Sequence, residues 1–197
     1  MAETFKLSIE NSCENKEQHE KLKNFVVIII KPMGKEYIEE IMEKLSEHGK
    51  IKHFETVTSK KEQVSQHYAG SQFDSEGQET SYYPGLVSYM SEKNMELFIL
   101  EGSNDQDCFI ENLRENVIGP SDPMKAKEGQ IRNIAKTLDY EKKITIEKNG
   151  IEKESKVFDN LIHCSDSQEN ALREIEIWLG KAIAEDYKKR YNKNENE

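Results

Sequence analysis

Residues 160–167 have the sequence Asn160-Leu161-Ile162-His163-Cys164-Ser165-Asp166-Ser167, a short apolar strand that ends in a polar cluster. Asp166 and Glu169 have the spacing of a capping box, which predicts that a helix begins directly after His163. The unpaired N–H groups at a helix start attract anions, so a histidine held there is well placed to meet an anionic group. The same pattern is equally compatible with a purely structural histidine.

A second decisive segment, Phe25-Val26-Val27-Ile28-Ile29-Ile30, is continuously apolar and predicts a strand that is buried on both faces. Ile51–Val57 and Met95–Gly102 predict further strands, and Asn149-Gly150 is a hairpin-turn signal between two more. Apolar residues at helical spacing separate these strands. The pattern predicts an α/β (α+β) sandwich of the ferredoxin-like kind, a four-stranded antiparallel sheet with helices on one face.

Two connections also carry local signals. Ser59 and Glu62 have capping-box spacing and predict a short helix that reaches His67-Tyr68. Gly70–Ser81 is rich in Gly, Ser, Asp and Glu and predicts an exposed loop. The strands around Asn149-Gly150 carry alternating Lys and Glu, so this hairpin is expected to bury little surface.

Composition limits the classes of function. The chain has 197 residues, 35% of them hydrophobic, which is enough for one sizeable core. A net charge of −10 argues against a general nucleic-acid surface, which needs clustered Lys and Arg. Three unpatterned cysteines, Cys13, Cys108 and Cys164, predict free thiols in a reducing compartment. The longest apolar run is too short to span a membrane, so a cytoplasmic protein is expected.

The domain organisation predicted from these patterns has three parts. Residues 1–23 form a polar N-terminal arm with one short strand signal at Phe5–Ile9. Residues 24–180 form one domain, with an inserted hairpin over about 140–158. Residues 181–197 form a charged C-terminal tail with some helical character.

Several separate motifs, in this order, resemble the nucleoside diphosphate kinase family over roughly Phe25 to Leu179. They are Lys31-Pro32-x-Gly34, His67-Tyr68, Tyr83-Pro84-Gly85-Leu86-Val87-x-Tyr89-Met90, Glu101-Gly102, Gly119-Pro120-Ser121-Asp122-Pro123, Gly129-x-Ile131-Arg132 and Asn160-x-x-His163-x-Ser165-Asp166-Ser167, with Glu174 behind the last. The resemblance implies a ping-pong enzyme that moves the γ-phosphate of a nucleoside triphosphate (ATP) to a nucleoside diphosphate through a phosphohistidine.

The resemblance also implies the roles of the residues nearest the transferred phosphate. His163 matches the phosphoacceptor, and Glu174 and Ser165 match the residues that orient its ring. Lys31 and Tyr68 match a pair that flanks the phosphate. The other histidines, His67 among them, are interpreted as structural.

The remaining implied roles concern the nucleotide. Ser121 and Arg132 match residues that bind phosphate oxygens, and Asn160 matches one that reaches the ribose and phosphate. Tyr82 matches the aromatic on which the base stacks, with Leu86 beside it. Mg²⁺ is expected on the nucleotide phosphates rather than in a protein cage. The family also implies a homo-oligomer, a tetramer or hexamer.

Some residues depart from the family pattern. Glu115 stands where an arginine usually binds phosphate, and Arg114 precedes it; a one-residue shift on an α-helix turns a side chain by about 100°. Met33 replaces a common aspartate, and Cys164 replaces a small residue. These departures leave three alternatives open: an active kinase with weakened nucleotide affinity, a degenerate nucleotide-binding regulator, or transfer of phosphate from His163 to a protein.

Overall fold

The structure, a computed structural model, describes residues 24–102, 108–148 and 150–192. The strands are β1 (Phe25–Ile30), β2 (Gly49–Thr58), β3 (Asn94–Gly102), β4 (Glu141–Lys148), β5 (Ile151–Phe158) and β6 (Ile162–Cys164). The α-helices are α1 (Ile38–Ser46), α2 (Lys61–His67), α3 (Tyr83–Met90), α4 (Phe109–Asn112), α5 (Gln168–Leu179) and α6 (Lys181–Asn192). Short 3₁₀ helices cover Pro32–Tyr37, Ala69–Ser71, Pro123–Lys125 and Ile131–Thr137, and a π-helical turn covers Leu113–Ile118.

The main sheet has the strand order β2-β3-β1-β6, and every neighbouring pair is antiparallel. This arrangement confirms the predicted ferredoxin-like class. Alternate residues of β1 enter two separate cores: Phe25, Val27 and Ile29 pack with α3, α5 and α6, whereas the other three pack with α1 and the α4 region. The expectation of helices on one face was therefore wrong, because the continuous apolar run of β1 requires cover on both faces.

Two segments that belong to the site meet at the end of β1. Ile29 lies opposite His163 in the β1–β6 ladder, and the N–H of Lys31 donates to the carbonyl of Leu161 at 2.8 Å. A Cβ atom at Gly34 would overlap that same carbonyl oxygen, so the Pro-x-Gly turn needs a glycine for this close approach. The loop after β1 is thus held against the strand that carries the histidine.

The inserted hairpin of β4 and β5 forms a two-stranded sheet of its own, and Gly150 adopts the left-handed backbone that the turn signal predicts. Its base packs on α3. Val157 is buried in the core, and Ser155 Oγ donates to the carbonyl of Ser81 at 2.9 Å. The expectation that the hairpin buries little surface was wrong for this half, because Ser155 and Val157 form an inward row among the charged residues of β5.

Helix α6 occupies most of the segment interpreted as a charged tail, and it packs on the domain. The ring of Tyr187 is fully buried, with its centroid 4.9 Å from that of Phe25. Its hydroxyl donates to Glu101 Oε1 at 2.7 Å, and Arg190 donates to the same oxygen at 2.9 Å. Residues 181–192 therefore correct the tail interpretation; the many exposed charges of the helix concealed its one apolar stripe.

Both predicted capping boxes were displaced by one residue. Ser59 Oγ donates to the carbonyl of Met90, and α2 begins instead with the N–H of Lys60 bound to Gln63 Oε1. Helix α5 begins with Ser167, whose Oγ accepts from the N–H of Asn170 at 3.1 Å. The helix start still follows the histidine strand directly, as predicted.

Other predictions concern exposure and the ends of the chain. The loop 70–81 is largely exposed, as predicted, and Cys108 and Cys164 are free thiols. The N-terminal arm, the Phe5–Ile9 strand and Cys13 lie outside the described residues. Among the helices that are described, none has the length and apolar character needed to cross a membrane.

The contact between α3 and the hairpin yields a test. A Cβ at Gly85 would overlap the side chain of Ser155, so Gly85→Ala should lower the free energy of unfolding by about 1–3 kcal/mol. Alanine is otherwise favoured over glycine inside a helix by about 1 kcal/mol. Adding Ser155→Gly should restore most of the loss in guanidinium unfolding, with Ser155→Gly alone as the control. A stabilising Gly85→Ala would show that the hairpin does not pack closely on α3.

Candidate active site

His163 is held by a buried carboxylate. Its Nε2 lies 3.1 Å from both carboxylate oxygens of Glu174, which projects from α5 and is 3% exposed. Burial acts to raise the pKa of Glu174, but the charge and hydrogen bond of His163 outweigh it and the pKa lies below its usual value. An ionised carboxylate can only accept hydrogen bonds. Nε2 therefore carries a proton, and in the neutral form of the ring the lone pair lies on Nδ1.

Ser165 fixes the carboxylate in turn. Its Oγ donates to Glu174 Oε2 at 2.6 Å and accepts from the N–H of Val27 at 2.9 Å. The side chain is fully buried. Glu174 is thus connected to the central strand β1 through a single hydroxyl group, which limits the rotation of the His163 ring.

A second histidine packs against the first. His67 ends α2, and its ring centroid lies 4.3 Å from that of His163. The indole N–H of Trp178 donates to His67 Nδ1 at 3.0 Å, so the proton of a neutral His67 ring resides on Nε2. Burial, and then the charge of His163, hold the pKa of His67 well below 6.5.

Lys31 and Tyr68 lie beside this pair as buried polar groups. Lys31 Nζ donates to Asn160 Oδ1 at 2.8 Å, and burial lowers the pKa of Lys31 to about 8. Burial also raises the pKa of Tyr68, so its phenol remains protonated. The Tyr68 hydroxyl has no hydrogen-bond partner among the described residues. The site therefore offers one ammonium and one unpaired phenol donor.

Arg132 is anchored by two backbone carbonyls. Its terminal nitrogens donate to Gly119 O at 2.8 Å and to Ile162 O at 2.9 Å. Burial lowers the pKa of Arg132 to about 10, which leaves the guanidinium charged at neutral pH. The Nε–H has no partner within the described part of the chain, and each terminal nitrogen has a second hydrogen to offer.

The structure does not bring all the predicted site residues together. Asn160 is buried and donates to the carbonyl of Ser121 at 2.7 Å, so it connects Ser121 with Lys31, from which it accepts a hydrogen bond. Tyr82, at the start of α3, is 43% exposed, and Leu86 is buried in the core. Five of the predicted site residues line one cleft of about 1660 Å³: Tyr68, Ser121, Arg132, His163 and Glu174. The others are not part of its lining: Lys31, Tyr82, Leu86, Asn160 and Ser165.

Comparison with protein families decides the assignment. The family model described as nucleoside diphosphate kinase matches residues 24–183. The chain belongs to the nucleoside diphosphate kinase family. This assignment to a family of enzymes confirms the resemblance found in the sequence motifs.

Relatives in the nucleoside diphosphate kinase family are distant in sequence. The nucleoside diphosphate kinase of Streptococcus uberis is 29% identical over 161 residues, covering 80% of this chain and 94% of its own. The nucleoside diphosphate kinase of Pyrococcus abyssi is 28% identical over 170 residues, which cover 85% of this chain and 87% of the Pyrococcus chain. Both matches span almost the whole relative, so the differences lie in individual residues and insertions.

Solved structures support the fold. A nucleoside diphosphate kinase of Encephalitozoon cuniculi in its apo form has a TM-score of 0.58 at 24% identity, covering 81% of this chain and 90% of its own. A transition-state mimic of the Borrelia burgdorferi enzyme with vanadate and ADP has a TM-score of 0.57 at 20% identity, covering 79% and 86%.

One departure from the nucleoside diphosphate kinase pattern has a structural basis. Arg114 and Glu115 lie in the π-helical turn, in which the N–H of Gly119 donates to the carbonyl of Arg114 at 3.0 Å, five residues back. An α-helix would use Glu115, four residues back. The carbonyl of Arg114 therefore takes the hydrogen-bonding place that the carbonyl of Glu115 would have in an α-helix.

The charge of Arg114 reaches the site. The pKa of Asp166 lies below its usual value: burial acts to raise it, but the side-chain hydrogen bond from Asn170 and the charge of Arg114 outweigh that effect. Burial raises the pKa of Cys164 to about 12, while Arg132 and Arg114 act in the opposite direction. Arg114, rather than Glu115, is the residue of this turn whose charge contributes to these shifts.

Metal binding by side chains finds little support at the site. Among the described residues, His67, His163 and Glu174 have ligand atoms within 4.8 Å of one another. Two imidazoles suit Zn²⁺ or Cu²⁺ better than Mg²⁺, which prefers oxygen. The Trp178 hydrogen bond occupies His67 Nδ1, and Glu174 already binds His163 and Ser165. Both carboxylate oxygens of Glu174 are therefore already engaged by side chains of the protein.

Sequence reasoning missed three features of the site. His67 was assigned a structural role, yet it contacts His163; the spacing of Glu174 and Trp178, one helical turn apart, could have indicated the cluster. The π-helical turn has no sequence signal that we can identify. Asp159 is fully buried beside Lys31, and its position directly before Asn160 is the only sequence feature that could have indicated a role at the site.

The neutral state of His67 predicts a dependence of stability on pH. Because its pKa in the fold is held well below 6.5, the unfolded chain gains a proton below pH 6.5 that the folded chain does not. The free energy of unfolding therefore falls as the pH falls, by up to about 1.4 kcal/mol per unit from this group. His67→Gln should reduce that slope between pH 6.5 and 5 in urea titrations, and His48→Gln is the matched control. Equal slopes for the native protein and His67→Gln would contradict a neutral buried His67.

Proposed function

We propose that the protein catalyses transfer of the γ-phosphate of ATP to a nucleoside diphosphate through a phosphohistidine at His163. The observation that carries this proposal is the pairing of His163 Nε2 with the buried Glu174 carboxylate, which places the lone pair of the neutral ring on Nδ1. A neutral nitrogen lone pair is the form of histidine that attacks phosphorus. The ring opens into a cleft that also contains Tyr68 and Arg132.

In the first half-reaction the Nδ1 lone pair forms a bond to the γ-phosphorus. The bond from that phosphorus to the bridging oxygen breaks, and the nucleoside diphosphate leaves with the electron pair. The ring now bears a positive charge, because Nε2 keeps its proton, and the Glu174 carboxylate stabilises that charge. In the second half-reaction a terminal oxygen of another nucleoside diphosphate attacks the phosphorus and the N–P bond breaks.

Positive and donor groups of the chain would bind the transferred phosphoryl group. Lys31 supplies an ammonium and Tyr68 a buried phenol that has no other acceptor among the described residues. Arg132 presents the remaining N–H groups of a guanidinium that is fixed by two carbonyls. Phosphoryl transfer requires mainly positioning and charge stabilisation, and these rigid groups offer both.

The rest of the nucleotide is assigned from the family resemblance. Ser121 and Asn160 are proposed to contact phosphate and ribose, which their mutual hydrogen bond supports. Tyr82 is proposed to stack on the base, and its exposed ring is free to do so. Leu86 would support that ring from the core. Mg²⁺ would neutralise phosphate charge and is proposed to enter with the nucleotide.

The assembly and location of the protein also remain proposals. The family resemblance favours a homo-oligomer, a tetramer or hexamer. The free thiols Cys108 and Cys164 suit a reducing compartment such as the cytoplasm.

His163→Gln tests the phosphohistidine directly. The native protein mixed with ATP labelled at the γ-phosphate and Mg²⁺ should acquire acid-labile label and pass it to GDP. His163→Gln should acquire none, whereas His48→Gln, outside the site, should behave as native. Label that stays on the protein after the GDP chase would favour transfer to a protein partner. No label on the folded native protein would favour the regulatory alternative, for which Glu115 in the cleft is the supporting observation.

Arg114 and Glu115 give a second test. We propose that Arg114 replaces the missing phosphate-binding arginine, so Arg114→Ala should weaken binding of Mg·ADP by roughly one to two decades, equivalent to about 1.5–3 kcal/mol. Glu115→Arg should change the affinity little, because Arg114 already supplies the positive charge of this turn that acts on the site. Isothermal titration calorimetry measures both. If Arg114→Ala left the affinity for Mg·ADP unchanged and Glu115→Arg increased it, the result would show that Arg114 does not replace the phosphate-binding arginine of the family.

A further inference from the structure

Asp159 is a fully buried carboxylate that collects hydrogen bonds from three segments around the site. Its Oδ2 accepts from the N–H of Met33 at 3.0 Å and from the hydroxyl of Tyr89 at 2.7 Å. Its Oδ1 accepts from the N–H of Leu161 at 3.1 Å. The loop after β1, helix α3 and the strand that carries His163 are therefore joined by one side chain.

The same residue connects the inserted hairpin to the site. Its backbone N–H donates to the carbonyl of Tyr140 at 2.8 Å, which closes the base of the β4–β5 hairpin. The next residue, Asn160, accepts the hydrogen bond from Lys31 Nζ. Asp159 thus lies between the insertion on one side and the buried ammonium on the other.

The charges around Lys31 explain why a carboxylate at position 159 affects the protonation of the lysine. Arg132, on the 3₁₀ helix 131–137, adds a second positive charge, and His67 at the end of α2 contributes a neutral ring in the fold. Tyr68 and Tyr89 remain protonated because burial raises the pKa of each phenol. Burial lowers the pKa of Lys31, and Asp159 is the negative group that opposes it. A buried ammonium without an opposing charge would tend to release its proton.

We propose that Asp159 is a positioning residue for Lys31: it fixes the loop that carries the lysine and supplies the negative charge that keeps its ammonium protonated. This role rests on the proposed phosphotransfer function, because a protonated Lys31 matters there as a charge on the transferred phosphate. Asp159 itself is fully engaged with backbone and tyrosine donors, so it has no part in the chemistry.

The first test measures Lys31 without reference to activity. Protein labelled with ¹³C at lysine Cε is titrated by NMR, and the Lys31 signal is assigned by its loss in Lys31→Arg. The native midpoint should lie near the pKa of about 8 that burial and Asp159 set together. Asp159→Asn should lower the midpoint by about one unit, the size expected for removal of a nearby opposite charge.

A second variant keeps the test decisive if Asp159→Asn does not fold. Tyr89→Phe removes the hydroxyl group that donates to the Asp159 carboxylate but leaves the carboxylate charged. The negative charge of Asp159 is then no longer partly offset by this donor and acts more strongly on Lys31. The Lys31 midpoint should then rise. Asp139→Asn is the control, since its side chain is an exposed carboxylate at the start of the hairpin and should leave the midpoint unchanged. The proposal would be overturned if the titration midpoint of Lys31 were unchanged in Asp159→Asn or were lower in Tyr89→Phe than in the native protein.

The pH profile of phosphoenzyme formation connects this titration to function. The rate for Asp159→Asn should match the native rate at pH 6.5 and be about tenfold lower at pH 9, because one unit of pKa changes the protonated fraction about tenfold. A uniform loss at every pH would indicate a merely structural residue and would overturn the charge role. If the native protein forms no phosphoenzyme, the proposed function fails, and the NMR titration still decides whether Asp159 controls Lys31.

Discussion

The pairing of β1 with β6 is the constraint on which the site depends. It sets His163 opposite Ile29 and brings the carbonyl of Leu161 to the N–H of Lys31. The side chains of His163 and Lys31 therefore lie near the same end of the β1–β6 pair. β1 can hold this place because all six of its residues are apolar and nearly all of their surface is buried. His163 lies on β6 itself, and side chains carried on strands are positioned more accurately than side chains on loops.

Burial gives the polar groups of the site their particular character. Glu174, Lys31 and Asp159 have little contact with water, and each is held by hydrogen bonds to its neighbours. In such a setting electrostatic interactions are stronger than at a surface, but a polar atom without a partner is costly. The Tyr68 hydroxyl is one such atom among the described residues. The fold therefore loses some stability at the site, where the donors of Tyr68, Lys31 and Arg132 lie close together, a common compromise between stability and function.

The sequence predicts the strands, the sheet class and the residues nearest the phosphate because each depends on local pattern. β1 is recognisable from its apolar run, and the hairpin from Asn149-Gly150. The helical character of α6 was predicted, but its packing on the domain was not, because one buried tyrosine among many charges gives only a weak apolar signal. The contacts of Asp159 could not be predicted, since they join segments far apart in the chain. The π-helical turn was not predicted because it covers only six residues and has no sequence signal of its own.

The position of α6 matters for where this domain can be divided. The family match ends at residue 183, before the buried ring of Tyr187 and the guanidinium of Arg190. A chain cut at that boundary would expose Phe25 at the start of the central strand and leave the buried carboxylate of Glu101 without two of its donors. Loss of this aromatic contact and of two hydrogen bonds to a charged group would lower the free energy of unfolding by several kcal/mol, a large fraction of the stability of a typical domain. Helix α6 thus contributes stability to the domain from beyond the span that the family model matches.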